Sequence, residues 1–305
     1  MRTDRWLVIG YFTCLSGLTG CRLPHNDGSV PAELVKSRDY SQQAAEAIEH
    51  SHWDKAETLL LQALKACPKD PEARCYYAET LWHRGATDDA LNQLEQARKQ
   101  RADGRALSVN DANLCARIAE MRLAVGQIDA ARVRAEQAID LDPKLAAAWV
   151  VHARVMRATQ QPQQALADYH RALGFAPEDR QTLLEVAELY REMNQPLRAI
   201  MTLQNLSDTY GPDEEPQRVL YLRGLAYEAA QRYDDAADSF ATALRRGQPT
   251  PELLYRLAEV QLALGRPAAA ADAARAAIAM DPRHQPSRDL LGRVEVAQQA
   301  TGPLR

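Results

Sequence analysis

The chain has 305 residues, of which 46% are hydrophobic and 26% charged, enough for a sizeable core or an extended array. Only 3 Phe in an Ala-rich text favour helix over sheet, and a net charge of -4 gives no reason to expect a nucleic-acid partner, which would call for a basic face to neutralise phosphates.

In chain order, Arg2 and Arg5 come first and are followed by an uncharged run from Trp6 to Gly20 that ends at Cys21. A basic start and an apolar stretch too short to span a bilayer read as a signal peptide over 1–20. The end of the run, Leu18-Thr19-Gly20-Cys21, resembles the bacterial lipobox, which implies cleavage before Cys21 and a lipid on its thiol. More than one acyl chain on one residue anchors firmly. Arg22, where Asp would favour inner-membrane retention, inclines this expectation toward the outer membrane. Residues 21–34 then read as a tether, since RLPHNDGSVPA carries Pro, Gly, Asn and Ser without apolar periodicity.

From residue 35 the text repeats. Ala44, Ala78, Ala119, Ala153, Ala187, Gly224 and Ala258 each precede by twelve residues a second Ala, at 56, 90, 131, 165, 199, 236 and 270. Successive units lie 34 residues apart except for steps of 41 and 37. The surpluses fall in polar inserts, QRADGRALS (Gln100 to Ser108) and GPDEEP (Gly211 to Pro216). Four units close on a Pro five residues after a third Ala: Ala63 and Pro68, Ala138 and Pro143, Ala172 and Pro177, Ala277 and Pro282. Proline cannot continue a helix, so the second helix of each unit stops there. The fifth unit has Leu206 and Gly211 at these places, which predicts a looser crossing.

This unit resembles the tetratricopeptide repeat, best in the fourth copy with Trp149, His152-Ala153, Met156, Ala165, Tyr169, Ala172 and Pro177. The resemblance implies an all-α, right-handed superhelical solenoid of seven helix hairpins over 35–284. Gln285 to Gln299 repeats the first-helix spacing around Gly292 and reads as a capping helix with a polar outer face (Arg293, Gln298, Gln299), before a tail over 300–305. No residues remain for a separate catalytic domain.

Motifs for chemistry are missing from the text: no Gly-rich phosphate loop, HExxH, GxSxG or CxxC occurs. His50 and His52 sit in a turn without a third ligand, so no metal or cofactor is expected. Asp88-Asp89 and Asp234-Asp235 open second helices, where negative charge suits the helix N-terminus. Among Cys67, Cys75 and Cys115, helix packing is expected ahead of a Cys67–Cys75 disulfide.

In the family that the repeat resembles, first helices line a concave groove that takes protein or peptide partners. Projection of the helical period places Glu79, Trp82, Glu120, Arg154, Arg157, Glu188, Arg191, Tyr221, Tyr255 and Glu259 on that face. Trp82, Tyr221 and Tyr255 are its expected aromatic anchors. Arg154, Arg157 and Arg191 are expected either to converge on an acidic segment or, for the first two, to pair with Glu120 and Glu188. The subgroup that clamps chaperone C-termini uses Lys and Asn where Cys75 and Glu79 stand, which argues against a co-chaperone. The expected role is a lipid-anchored adaptor that assembles envelope proteins. The rivals are a self-associating structural protein and a hydrolase of wall or polysaccharide.

Overall fold

Small residues at regular intervals let helices cross closely, and their burial reports the register directly. The computed structural model describes residues 31–103, 107–211 and 213–300, with side chains through Val296. Fifteen α-helices follow one another among these residues. They pair as α1 (Ala32–Glu49) with α2 (Trp53–Ala66), α3 (Pro71–His83) with α4 (Thr87–Ala102), α5 (Ala112–Ala124) with α6 (Ile128–Leu141), and α7 (Ala146–Ala158) with α8 (Pro162–Phe175). The series continues with α9 (Arg180–Glu192) and α10 (Pro196–Ser207), α11 (Gln217–Ala229) and α12 (Tyr233–Arg246), then α13 (Pro251–Ala263) and α14 (Pro267–Met280). The single helix α15 (Gln285–Ala300) closes the array. The chain is thus a solenoid of seven hairpins and a terminal helix.

All the expected crossing residues are buried, and the second small residue of each pair, from Ala56 to Ala270, has no exposed surface. Sixteen residues after the first small residue stands the side chain that fills each hairpin: Leu60, Leu94, Ala135, Tyr169, Leu203, Phe240 and Ala274, all buried. Gly224 faces the bulky Phe240 of this set, and a Cβ there would lie 2.3 Å from the ring. At Gly292 on α15 a Cβ would meet nothing within 4 Å, as suits a first helix without a second helix packed on it.

The turn inside each hairpin is built the same way seven times. The residue seven places after the first small residue has positive φ: Ser51, Gly85, Gly126, Gln160, Asn194, Gln231 and Gly265. The next amide then donates back to the carbonyl five residues earlier, as Ala86 does to Leu81 and Gln161 to Met156. This is the helix-ending pattern that satisfies orphan carbonyls through one left-handed residue.

Between hairpins, α2, α6, α8 and α14 end just before Pro68, Pro143, Pro177 and Pro282, as expected. Three boundaries differ from the sequence reading. Helix α1 starts at Ala32 after Pro31, so the last three residues of the expected tether are helical. Helix α4 runs on to Ala102 into the first insert, because Gln100 and Arg101 hold contacts to neighbouring segments: the Gln100 amide donates to the Pro68 carbonyl at 3.3 Å and Arg101 reaches Asp111 at 3.5 Å. Helix α15 ends at Ala300. In the fifth unit Leu206 is fully buried in one cluster with Leu203, Val219 and Leu222, while α9 and α11 touch less than α1 and α3 or α5 and α7 do, in keeping with the looser crossing expected there. The signal peptide, Cys21 and the tether up to residue 30, the side chains of Gln298 and Gln299, and the tail beyond Ala300 lie outside the described residues.

Candidate interaction groove

Alternate pairs of neighbouring first helices touch, α1 with α3, α5 with α7, α9 with α11 and α13 with α15. Each second helix packs between its own partner and the next first helix. The residues projected onto the first-helix side carry a row of ion pairs.

The row begins at Glu79 on α3, which accepts two hydrogen bonds at 2.6 and 2.7 Å from Arg117 of α5. Arg117 also reaches Glu120 at 2.6 Å, and Glu120 accepts from Arg154 of α7 at 3.2 Å. Arg154 holds Glu185 of α9 through Nε at 2.9 Å and a terminal nitrogen at 2.6 Å. Glu185 is 7% exposed and further accepts from the Tyr169 hydroxyl at 2.7 Å and the Gln181 amide at 2.8 Å. Burial opposes its ionisation, but the donors from Arg154, Gln181 and Tyr169 outweigh it and hold its carboxyl below the usual range. Burial and the Glu185 charge push the Tyr169 phenol up, so that it remains a donor.

Arg157, one turn beyond Arg154, binds Glu192 and stands 3.9 Å from Glu188, which in turn accepts from Arg218 of α11 at 2.6 Å. Between α7 and α9 these side chains surround a depression of about 710 Å³. Arg154, Arg157, Gln181, Glu185, Glu188 and Glu192 form its polar walls, and Ala158, Pro162, Leu189 and Met193 line it with carbon.

Of the two arrangements expected for the arginines, the structure shows pairing. Arg154 and Arg157 both line the depression, but they are engaged by carboxylates, chiefly Glu185 and Glu192 and less directly the expected Glu120 and Glu188. Arg191 is exposed and is not among the lining residues, so the three guanidinium groups do not converge. Trp82 packs its ring on the cluster formed by Ala78, Leu81, Leu91 and Leu94. Tyr221 leans on Phe240 at 5.9 Å, and Tyr255 meets the His284 ring edge-on at 5.8 Å. Each of the three is half-buried. Glu259 lies 3.3 Å from Arg256.

Projection from the small residues followed positions one and four after the crossing residue and three before it, and so missed Glu185, Arg117 and Arg256. All three sit two places before it, in the same register. The residue after one crossing pairs with the residue before the next, as Glu79 with Arg117 and, with signs reversed, Arg154 with Glu185. Opposite charges at those two offsets in consecutive units were the available signal.

Away from the groove, Glu95 of α4 accepts from Arg98 and Arg122 at 2.9 Å and from Arg134 at 3.1 Å. Its side chain is 17% exposed. Burial raises its pKa, but those three donors prevail and bring the carboxyl from 4.5 to about 2. A depressed carboxyl stabilises the fold above its unfolded pKa and loses that contribution as pH falls. Melting temperature should therefore drop steeply between pH 4.5 and about 2. Glu95→Gln should melt lower at neutral pH and show a shallower acid slope; parallel curves for the two proteins would remove Glu95 from the acid response.

Other sequence expectations are settled locally. Cys67, Cys75 and Cys115 carry thiols rather than disulfides, and burial pushes the Cys115 thiol up to about 11. Asp88, Asp89, Asp234 and Asp235 lie in first turns but make no cap hydrogen bond; Asp235 pairs with Arg232 and Asp234 with Arg266. His50 and His52 flank the first hairpin turn, their rings 6.1 Å apart.

Stacked helix hairpins with an inner face of side chains from successive first helices define an α-solenoid interaction scaffold. Two family profiles, each described as Tetratricopeptide repeat, match the chain, one over residues 47–120 and the other over 184–251 and 221–284, together more than half its length. The chain belongs to the tetratricopeptide repeat family. No curated protein matches it. Among solved structures it is similar to PilF of Pseudomonas aeruginosa, at 17% identity and a TM-score of 0.62 over 75% of this chain and 98% of that one. A repeat protein segment from Cytophaga hutchinsonii aligns at 13% identity and a TM-score of 0.62, over 82% of this chain and 98% of that one. YrrB, described as a repeat protein with an unusual peptide-binding site, aligns at 17% identity and a TM-score of 0.53, covering 59% and 91%. Identities this low speak for the fold alone.

Proposed function

We propose that this chain is a membrane-tethered adaptor of the bacterial envelope, with no catalytic role, that holds a protein partner along its concave face. The observation that carries the reading is the depression between α7 and α9. It is large enough for side chains of a bound segment, and polar walls around carbon give the mixture of orientation and burial that recognition sites use. A described peptide-binding site in YrrB, a protein of similar fold, is in keeping with this use. A photo-crosslinking residue at Gln160 or Ala158, on the rim, should yield partner adducts in cells, whereas one at Asp272 or Arg275 on α14 should not. Equal adducts from α14, or none from the rim, would remove the groove from the reading.

The tether is argued from the lipobox-like Leu18-Thr19-Gly20-Cys21, and Arg22 favours the outer membrane as its site. Among the described residues no helix is long and apolar enough to cross a membrane. Cys21→Ala should abolish labelling by a fatty-acid analogue and shift the protein out of the membrane fraction or leave it uncleaved. Unchanged labelling and fractionation would overturn the anchor.

A further inference from the structure

We propose that the depression between α7 and α9 receives a partner segment bearing a cationic side chain beside a large apolar one. This rests on the concave face being the partner surface and names what that surface selects.

Donor and acceptor accounting points that way. The guanidinium groups of the depression are already directed at carboxylates: Arg154 at Glu185 and Glu120, Arg157 at Glu192 with Glu188 alongside. A segment rich in Asp or Glu would have to displace those partners and would face three carboxylates in the same wall. Ionised carboxylates, by contrast, accept from about four directions each. Glu192 receives Arg157 and remains 46% exposed, while Glu188 receives Arg218. Three carboxylates, Glu185, Glu188 and Glu192, face two guanidinium groups in the walls of the depression, so its surplus charge is negative. Ala158, Pro162 and Met193 add the carbon surface that an apolar neighbour of the cation would cover.

The imbalance continues along the groove. On α11 and α13, Arg256 stands 2.8 Å from Glu252, 3.3 Å from Glu259 and 3.8 Å from Glu228, three carboxylates around one guanidinium. Burial, with Glu259 and Glu252 nearby, pushes the Glu228 carboxyl up in spite of Arg256, as expected where negative charge exceeds its compensation. Tyr255 lies beside this group, with Arg256 5.4 Å from its ring centre.

The test is selection of a displayed library of random short peptides on the full chain. Recovered peptides should be enriched in Lys or Arg next to a large apolar residue. Their affinity, measured by fluorescence anisotropy, should fall roughly tenfold or more in Glu188→Gln with Glu192→Gln, as loss of a charge-assisted hydrogen bond implies. Melting of that double variant is compared with the parent. Ala158→Tyr, which fills the depression without changing any charge, should weaken the same peptides as strongly. Enrichment of acidic peptides, or basic peptides whose affinity survives both variants, would overturn the proposal. Rim crosslinks to a partner whose contacting segment is acidic would overturn it while sparing the adaptor reading; absence of rim crosslinks would count against the adaptor reading itself.

Discussion

Arg154→Met should lower stability by about 3–5 kcal/mol, the range for removing one partner of a buried ion pair. Glu185 is left 7% exposed with Tyr169 and Gln181 as donors but no neutralising charge. Glu120 loses a contact too, although Arg117 still holds it. The loss falls on the interface between the fourth and fifth hairpins, because Arg154 and Tyr169 belong to one and Glu185 to the next. In a nearest-neighbour array, weakening one interface divides the whole. Denaturant unfolding of the variant should therefore separate into two steps, with one block ending at α8 and the other beginning at α9. Arg154→Met with Glu185→Met should recover much of the loss, since it removes both charges from a site that costs free energy to ionise. A single unaltered transition in Arg154→Met would show that the row of pairs carries little of the coupling. The arrangement also argues against charge reversal at Arg154 as a clean test of binding: a carboxylate there would join Glu120 and Glu185, and stability would fall together with any partner contact.

The frame of the fold was legible because the constraint behind it acts on single residues. Two helices that cross closely admit only Ala or Gly, and the twelve-residue spacing of Ala153 and Ala165 says so without knowledge of what surrounds them. The prolines after α2, α6, α8 and α14 act just as locally. The hairpin turns were equally written, in a set of Gly, Asn, Gln and Ser at one fixed offset, but Gln160 and Gln231 obscured it because Gln carries no strong preference for positive φ. The groove was legible only in part. Placing Arg154 on the inner face needs the helical period alone, whereas its partner depends on the offset between neighbouring first helices. That offset is tertiary, and it brings Glu185 rather than Glu188 against Arg154.

Gly224→Ala tests the crossing rule where two forces of similar size oppose each other. Alanine in a helix interior gains up to about 1 kcal/mol over glycine from backbone propensity. Against this, the new Cβ would lie 2.3, 2.5 and 2.8 Å from three atoms of the Phe240 ring. That ring is fully buried and packed on Tyr221, so it cannot swing into solvent. Overpacking of this kind costs about 1–3 kcal/mol, and the clash should exceed the propensity gain. The sequence offers a remedy: where the crossing residue is Ala44, Ala78 or Ala187, the filling residue is Leu60, Leu94 or Leu203, although Ala153 stands opposite Tyr169. Phe240→Leu alone should destabilise by removing buried volume, yet added to Gly224→Ala it should restore stability, a coupling expected between residues in contact. Urea titrations of the two single variants and the double variant measure it. A Gly224→Ala protein at least as stable as the parent would mean that Phe240 shifts readily and that closeness at this crossing is not what requires glycine. Additive losses in the double variant would mean that the two residues do not share the space that the structure assigns them.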